Sequence, residues 1–428
     1  KFQKSFRDRV IIDTTIVGGR KLAARHYINF LPGTSFGVSL LPYSLSNYRS
    51  FLRSNSLGEW KRAPFILTAR VTVSSQPFTD RGLSVQQDDT HIEPCEDTPQ
   101  VCVVRQLCTG FLDKFSVPGM QLTISVGNKI VLSEGFGSSD IENMTPVTTA
   151  TRFRVGSISK SLTSGALLKL VSEKKLDLDA PVQNYVPLFP RKKYTVTTRQ
   201  LAGHLGGIRH YSEGELIRKE HYDNSLESIS IFKDDSLLFK PGTQYYYSSY
   251  GWNLVGAVVE GASNQNFLDY MLSNVWRPLG MLQTYGDVAD SVMSNKSKFY
   301  YVTGEEAENY DLSYKFPSGG LLSTTEDLVR FGNELLYGDY FDNGLTRQLF
   351  ETQYIPGNIP TNYGLGWNIL RDRNGHRVWY HAGDLLESSG HLLIYPDDGI
   401  VIAFLANSRN GLSFDIQDIG ELFYTMEK

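Results

Sequence analysis

Strand hairpins at both ends of a long segment constrain the fold of this chain more than any other sequence feature. Over 120–126 apolar and polar residues alternate and run into Gly127-Asn128, a pair that favours a tight hairpin turn. Far downstream, the stretch 392–406 holds two apolar runs around a Pro-Asp-Asp-Gly turn, and a further hairpin pattern surrounds Asn374-Gly375. Strands from both ends of the segment are therefore expected to share one antiparallel sheet.

Between these hairpins the apolar pattern is helical. Ile158, Leu162, Ala166 and Leu170 recur every four residues, as on the buried face of a helix. The sequence predicts further helices over 198–205, 251–262, 266–275, 325–336 and 412–427. Together the patterns predict an α/β fold, in which an antiparallel sheet is flanked by helices and a mostly helical lobe is inserted at about 195–360.

Residues 1–104 differ in composition from the domain predicted over 105–428. The first 70 residues carry twelve lysines and arginines against three acidic residues, and residues 71–100 then turn acidic. A basic, acid-poor, serine-containing stretch is typical of mitochondrial targeting segments, but a disordered flank without that role has the same composition. Both interpretations stay open at this point.

Composition also argues against several classes of function. A net charge of −4 gives no basic face for nucleic acid, and no apolar run is long enough for a membrane span. Cys95, Cys102 and Cys108 lack the spacing of a metal site, and His204 and His210 lack a third ligand, so both histidines are interpreted as structural. No metal and no cofactor are expected.

The strongest candidate for chemistry is the pair Ser157 and Lys160. A serine hydroxyl needs a base within hydrogen-bond reach, and residues three apart on a helix lie on the same side. The same spacing recurs at Ser172/Lys175 and Ser230/Lys233, so spacing alone is a weak signal. Ser157 differs from the other two serines because it opens the apolar helix, where backbone N–H groups can stabilise an oxyanion.

Residues 154–163, Arg-Val-Gly-Ser-Ile-Ser-Lys-Ser-Leu-Thr, resemble the first motif of the serine β-lactamase-like and penicillin-binding hydrolases of the class C type. Two further motifs follow in the family's order: Tyr247-Ser248-Ser249 in place of Tyr-x-Asn, and His381-Ala382-Gly383 in place of Lys-Thr-Gly or His-x-Gly. The resemblance covers roughly 105–428. It is strongest to the animal mitochondrial serine β-lactamase-like branch, through 157–163, 175–187 and 207–211.

This resemblance implies a mechanism and a site. Ser157 would attack a carbonyl, and Lys160 and Tyr247 would share the proton transfers, although which of them is the base stays open. Water would then release the acyl group, without a metal. The implied oxyanion and pocket residues are the backbone N–H groups of Ser157 and Asp384, with His381, Gly383 and Ser249 around them.

Three departures from the family pattern narrow the expected substrate. Ser249 replaces the amide of the second motif, and His381 replaces a lysine that would be a permanent cation. Asp384 adds a carboxylate beside the predicted oxyanion hole, where it is expected to repel an anionic group. We therefore do not expect efficient β-lactamase activity, and we expect the substrate to be a peptide or an ester.

The resemblance further implies a mitochondrial peptidase-like protein linked to lipid metabolism, with the cytoplasm as the alternative location. A different class of function also remains open: a catalytically weak or inactive scaffold that assembles itself into a homo-oligomer or filament on the same fold.

Overall fold

The computed structural model describes residues 97–428 except 213, 290–293 and 425–428, together with five short strands near the start of the chain. The chain divides into two units, 1–96 and 97–428. Most of the extension predicted over 1–104, namely residues 30–96, lies outside the described residues, and its targeting or disordered character stays a prediction. The first unit contains two small antiparallel sheets. One has three strands, which are Phe2–Ser5, Arg9–Ile12 and His26–Asn29, and the other has two, which are Thr15–Val17 and Arg20–Leu22.

A seven-stranded antiparallel sheet forms the centre of the second unit, and its spatial order is β4-β5-β6-β7-β1-β2-β3. The predicted α/β fold with an antiparallel sheet is thereby confirmed. The strands are β1 (Gly119–Val126), β2 (Lys129–Asp140), β3 (Thr145–Pro146), β4 (Asn368–Arg371), β5 (Arg377–Asp384), β6 (Ser389–Tyr395) and β7 (Ile400–Ala406).

The two ends of the domain meet in the middle of this sheet, because β7 pairs with β1 from Ile400 opposite Val126 to Ala406 opposite Met120. All seven residues of β7 are buried. The hairpin between β1 and β2 turns at Gly127 and Asn128, whose φ angles of 56° and 64° are those that this residue pair favours.

Helices cover both faces of the sheet, and four of them were not predicted individually from the sequence. The helices are α1 (Pro99–Phe115), α2 (Ile158–Ser172), α3 (Thr198–Ala202), α4 (Ser225–Ser228), α5 (Ser249–Ser263), α6 (Phe267–Met271), α7 (Phe316–Gly319), α8 (Thr325–Tyr337), α9 (Asn343–Leu349) and α10 (Ile416–Glu421). Helix α10 is shorter than the helix predicted over 412–427, and the helices that were not predicted are α1, α4, α7 and α9. No helix in the described part of the chain is long and apolar enough to cross a bilayer.

Single turns of other helix types and five short strands complete the described structure. The 3-10 turns are Val182–Asn184, Ile229–Ile231, Ser313–Lys315 and Arg409–Ser413, and a π-helical turn covers Leu272–Trp276. Phe153–Arg154, Tyr285–Gly286 and Leu321–Ser323 form a small sheet, and Tyr354–Ile355 pairs with Ile359–Pro360.

Helix α2 lies inside the domain rather than on its surface. Twelve of its fifteen residues are buried, and several of these are polar. The sequence predicted a single buried apolar face, so more of the helix is buried than was predicted. Its buried hydroxyls are satisfied by backbone carbonyls: Ser161 Oγ donates to Gly366 O at 2.8 Å and Thr163 Oγ1 donates to Pro317 O at 2.9 Å. These bonds fix the start of α2 against two other segments of the chain.

Candidate active site

Ser157 is the N-cap residue of α2 and is half-buried at the helix start. The preceding residues are held by the small sheet, in which Phe153 lies opposite Ser323 and Val155 N donates to Leu321 O at 3.0 Å. Gly156 has a φ of +53°, which lets the chain turn sharply into the helix. The Ser157 hydroxyl is therefore presented by a rigid strand-to-helix turn.

Lys160 makes three polar contacts at the end of its side chain. Its Nζ lies 2.9 Å from Ser157 Oγ, 3.1 Å from Ser249 Oγ and 2.7 Å from Ser318 O. The side chain is fully buried, and burial together with the nearby positive charge of Lys315 holds the pKa of Lys160 well below its usual value. Both effects favour the neutral form of this amine, which is in contact with the serine hydroxyl.

The other two Ser-x-x-Lys pairs are not built in this way. Ser172 Oγ donates to Lys169 O at 2.8 Å, while Lys175 pairs with Glu173 at 2.9 Å. Near Ser230, the ammonium of Lys233 pairs with its neighbouring aspartate. Of the three pairs, only Ser157 and Lys160 are joined by a hydrogen bond within the described residues.

Tyr247 lies on the other side of the serine. Its hydroxyl shares a hydrogen bond with Ser157, and its ring centroid lies 4.9 Å from Lys160 Nζ. Burial raises the pKa of Tyr247 above its ordinary value, so the phenol stays protonated at neutral pH. Ser157, Lys160, Tyr247 and Ser249, four residues singled out from the sequence, thus meet in one place.

His204 and His210 hold the segment that carries Tyr247. His204 Nδ1 accepts from Ser248 N and His210 Nδ1 accepts from Ser249 N, both at 3.1 Å. Burial and the charge of Lys160 lower the pKa of both rings, that of His210 to about 4, which keeps them neutral and able to accept. The interpretation of both histidines as structural therefore fits, but their contribution to the site was missed because no local pattern links them to residues 248–249.

The end of β5 passes very close to the turn before α2. A Cβ on Gly383 would lie 2.1 Å from Val155 O, and one on Gly156 would lie 2.9 Å from Asp384 N. Only glycine allows this approach. It brings the backbone N–H of Asp384 beside the start of α2, the position predicted for the second oxyanion donor.

The carboxylate of Asp384 does not stand alone beside the site. Both of its oxygens accept from Arg409, at 2.7 and 2.8 Å, and both side chains are partly exposed. The guanidinium offsets much of the negative charge that was expected to repel an anionic substrate.

His381 lies on β5 with both ring nitrogens occupied. Nδ1 lies 2.8 Å from Ala382 O, a group that only accepts, so Nδ1 carries the proton. Nε2 then accepts from the Tyr363 hydroxyl at 3.0 Å. Burial and the charge of Lys160 lower the pKa of His381 to about 3, so the ring is neutral. Its centroid lies 6.4 Å from that of Tyr247, at the edge of the same site.

A buried ionic cluster lies behind the serine turn, and sequence reasoning did not identify it. Arg154 Nε donates to Asp287 and its Nη1 donates to Glu387, each at 2.6 Å. Tyr310 donates to Glu387 at 2.8 Å, and Lys296 donates to Asp287 at 2.5 Å. The two partners of Arg154 lie more than 100 residues from it in the sequence, so their pairing leaves no local signal. Within the described residues no three His, Cys, Asp or Glu side chains are grouped so as to hold a metal ion.

Comparison with known proteins gives concordant matches over this domain. The family model described as Beta-lactamase matches residues 104–424. The human protein named "Serine beta-lactamase-like protein LACTB, mitochondrial" is 30% identical over 451 aligned positions, which cover 78% of this chain and 82% of the human protein.

Two solved structures have a similar fold. The octameric penicillin-binding protein homologue from Pyrococcus abyssi has a TM-score of 0.64 at 24% identity and covers 72% of this chain and 74% of its own. A class C β-lactamase has a TM-score of 0.65 at 20% identity and covers 78% of this chain and 99% of its own.

Proposed function

Because this chain belongs to the β-lactamase family of serine hydrolases, we propose that it cleaves peptide or ester bonds through an acyl-enzyme formed on Ser157. The observation that carries the proposal is the 2.9 Å contact between Ser157 Oγ and the buried amine of Lys160. A serine becomes a nucleophile when a base that is neutral at working pH lies within hydrogen-bond reach.

Lys160 is the base in this proposal. A neutral amine has two N–H donors and one lone pair. The donors match Ser318 O, which only accepts, and Ser249 Oγ, so the lone pair is left for the hydroxyl proton of Ser157. Tyr247, whose pKa is raised, stays protonated and serves as the acid that passes a proton to the leaving group.

The reaction then proceeds in two steps. Ser157 Oγ forms a bond to the substrate carbonyl carbon while its proton moves to Lys160. The negative charge on the carbonyl oxygen is stabilised by the backbone N–H groups of Ser157 and Asp384. The bond to the leaving group breaks as that group takes a proton through Tyr247, and water reverses the sequence to release the acid.

Labelling of the serine tests this proposal. A fluorophosphonate probe is expected to add one adduct to the wild-type protein by intact mass, and Ser157→Ala is expected to abolish it. Ser172→Ala is the matched control, since it removes the serine of another Ser-x-x-Lys pair on the same helix. Retained labelling in Ser157→Ala would contradict the assignment. Turnover of a panel of peptides, esters and β-lactams by the wild type then ranks the substrate classes.

Self-assembly is a second candidate function, supported by the octameric state stated for the Pyrococcus abyssi homologue. A homo-oligomer or filament is expected in sedimentation velocity or electron microscopy. Assemblies together with the absence of any acyl-enzyme would favour the inactive scaffold over the hydrolase.

A mitochondrial location is proposed from the name of the human relative, with the cytoplasm as the alternative. Imaging of a full-length fluorescent fusion decides between them. The link to lipid metabolism stays a prediction, which lipid profiling of cells that lack the protein would test.

A further inference from the structure

Lys315 is a second buried lysine near Ser157, and the proposed mechanism does not use it. It ends the 3-10 turn Ser313–Lys315 and is only 2% exposed. Its Nζ lies among three tyrosine rings, 5.2 Å from the centroid of Tyr314, 5.6 Å from that of Tyr310 and 5.8 Å from that of Tyr211. Aromatic faces attract a cation but do not neutralise it.

The ammonium of Lys315 has no anionic partner among the described residues. No carboxylate lies within ion-pairing distance of it, and no hydrogen bond from Nζ is formed there. The nearest acidic groups, Glu387 and Asp287, already pair with Arg154, and Asp287 also pairs with Lys296. These five side chains bring three positive charges against two negative ones, so one positive charge is unbalanced.

An unpaired ammonium is costly to bury, because its lost hydration is not replaced. A methionine would fill the same volume without that cost. A lysine kept in this position is therefore expected to meet an anion that the folded chain itself does not supply.

Lys315 is within reach of the candidate active site. A Cβ placed on Gly319 would lie 3.9 Å from the Cδ of Lys315 and 3.9 Å from the carbonyl carbon of Gly156, so the lysine side chain and the serine turn flank the same glycine. The charge of Lys315 is also felt at Lys160, whose pKa it lowers. Among the described residues, some polar atoms are fully enclosed and form no hydrogen bond, for example Trp252 Nε1. Lys315 Nζ is not in this group although it forms no hydrogen bond either, so the atom is not fully enclosed.

Among the residues that the structure describes, the opposite side of the site offers no free cation. His381 is neutral and both of its nitrogens are hydrogen-bonded, and Arg409 is paired with Asp384. Lys160 is occupied by three oxygens. An anionic group that enters this site would therefore find its partner at Lys315.

We propose that Lys315 is a specificity residue that binds a carboxylate group of the substrate. The inference rests on the proposed hydrolase function and adds to it a substrate class: peptides or esters that carry a carboxylate in addition to the bond that is cleaved. The carboxylate pairs with the Lys315 ammonium and balances the charge of the cluster.

Binding of small dicarboxylates tests the inference without turnover. Succinate, glutarate and adipate are each compared with their monoamides by isothermal titration calorimetry on the full chain. We expect at least one diacid to bind about tenfold or more tightly than its monoamide, since a charge-assisted bond is lost in the amide. In Lys315→Met the affinities for a diacid and for its monoamide are expected to differ by no more than about twofold.

Lys296→Met is the matched control, because it removes the same charge from the same cluster but from a lysine that already has a partner. It is expected to leave the preference intact. The absence of any preference in the wild type, or an equal loss in Lys296→Met, would overturn the inference. If Lys315→Met does not fold, as judged by thermal melting, Lys315→Gln replaces it.

The two proposals fail in different ways. A protein that is labelled at Ser157 by the fluorophosphonate probe but shows no diacid preference is a hydrolase without this subsite. A protein that prefers diacids but is not labelled has the subsite without the proposed chemistry.

Discussion

The two sides of the candidate active site differ in their charged groups: one is the helical side, which carries Lys160 and Lys315, and the other is the sheet side, formed by β5. On the helical side, Lys160 and Lys315 are both buried, and burial lowers the pKa of each. On the sheet side, His381 is neutral with both nitrogens bonded, and Asp384 is paired with Arg409. Under the proposed function, the helical side would supply the groups that move protons or bind a charged group, while β5 would supply shape and a backbone N–H.

Removal of the Lys160 amine is expected to have the largest effect. Lys160→Met should lower kcat/KM for an ester substrate by about 1,000-fold, because the base is lost while the buried volume is kept. Lys175→Met, in another Ser-x-x-Lys pair, is the control and should be silent. In the wild type, activity should fall as the pH falls through the lowered pKa of Lys160, because protonation removes the base. The residual activity of the variant should not show this fall at low pH. A loss below about tenfold would place the base elsewhere.

Gly156→Ala tests the contact between the two sides. The added Cβ would lie 2.9 Å from Asp384 N on a backbone with a φ of +53°, so the oxyanion donor must shift. We expect kcat to fall about 100-fold. Gly127→Ala is the control. Its φ of +56° gives a similar backbone strain, but its added Cβ would have no neighbouring atom within 4 Å. Both variants should be destabilised, by about 1 kcal/mol, and equal activity in the two would contradict an oxyanion role for this contact.

Lys315→Met is expected to stabilise the protein. Burial lowers the pKa of Lys315 from 10.5 to about 8, which corresponds to about 3 kcal/mol of cost at neutral pH. Below about pH 8 both folded and unfolded chains hold the proton and the cost is constant. Between about pH 8 and 10.5 the unfolded chain binds more protons, so wild-type stability rises with pH and the advantage of the variant shrinks. Urea unfolding at several pH values measures this, with the exposed Lys129→Met as control, and a pH-independent difference would refute it.

The smallest effect is expected on the sheet side. The pKa of His381 is lowered to about 3, so no charge is lost when it is replaced. His381→Gln, which can still accept from Tyr363, should lower kcat/KM by less than about tenfold and leave the pH profile between 5 and 8 unmoved. A shift of the profile in that range would show that the histidine titrates during the reaction and would remove the contrast between the two sides.

Features encoded by neighbouring residues could be predicted from the sequence. The Gly127-Asn128 turn, the three hairpins and the start of α2 at Ser157 follow from local patterns, and all are formed. Helix α1 was overlooked although Val101, Val104, Cys108 and Phe111 share its buried face at helical spacing. In that case the signal was present in the sequence and was not used.

Features that depend on distant partners could not be predicted. Nothing near His204 or His210 indicates that their rings accept from the backbone N–H groups of residues 248 and 249. Likewise, the sequence reasoning gave no role to Lys315, and its unbalanced charge is visible only once Glu387 and Asp287 are found to be paired with Arg154. Long-range ionic pairing leaves no periodicity along the chain.

The position of β7 has a consequence for how the protein is made. This strand comes near the end of the chain, yet it lies between β6 and β1 and joins the two parts of the sheet. A growing chain on the ribosome therefore exposes the open edge of β1 until residues 400–406 have been synthesised, and long-range pairing of this kind is slow. Chains truncated before Ile400 are expected to aggregate rather than form a smaller stable domain, and a chaperone would be needed most during this interval.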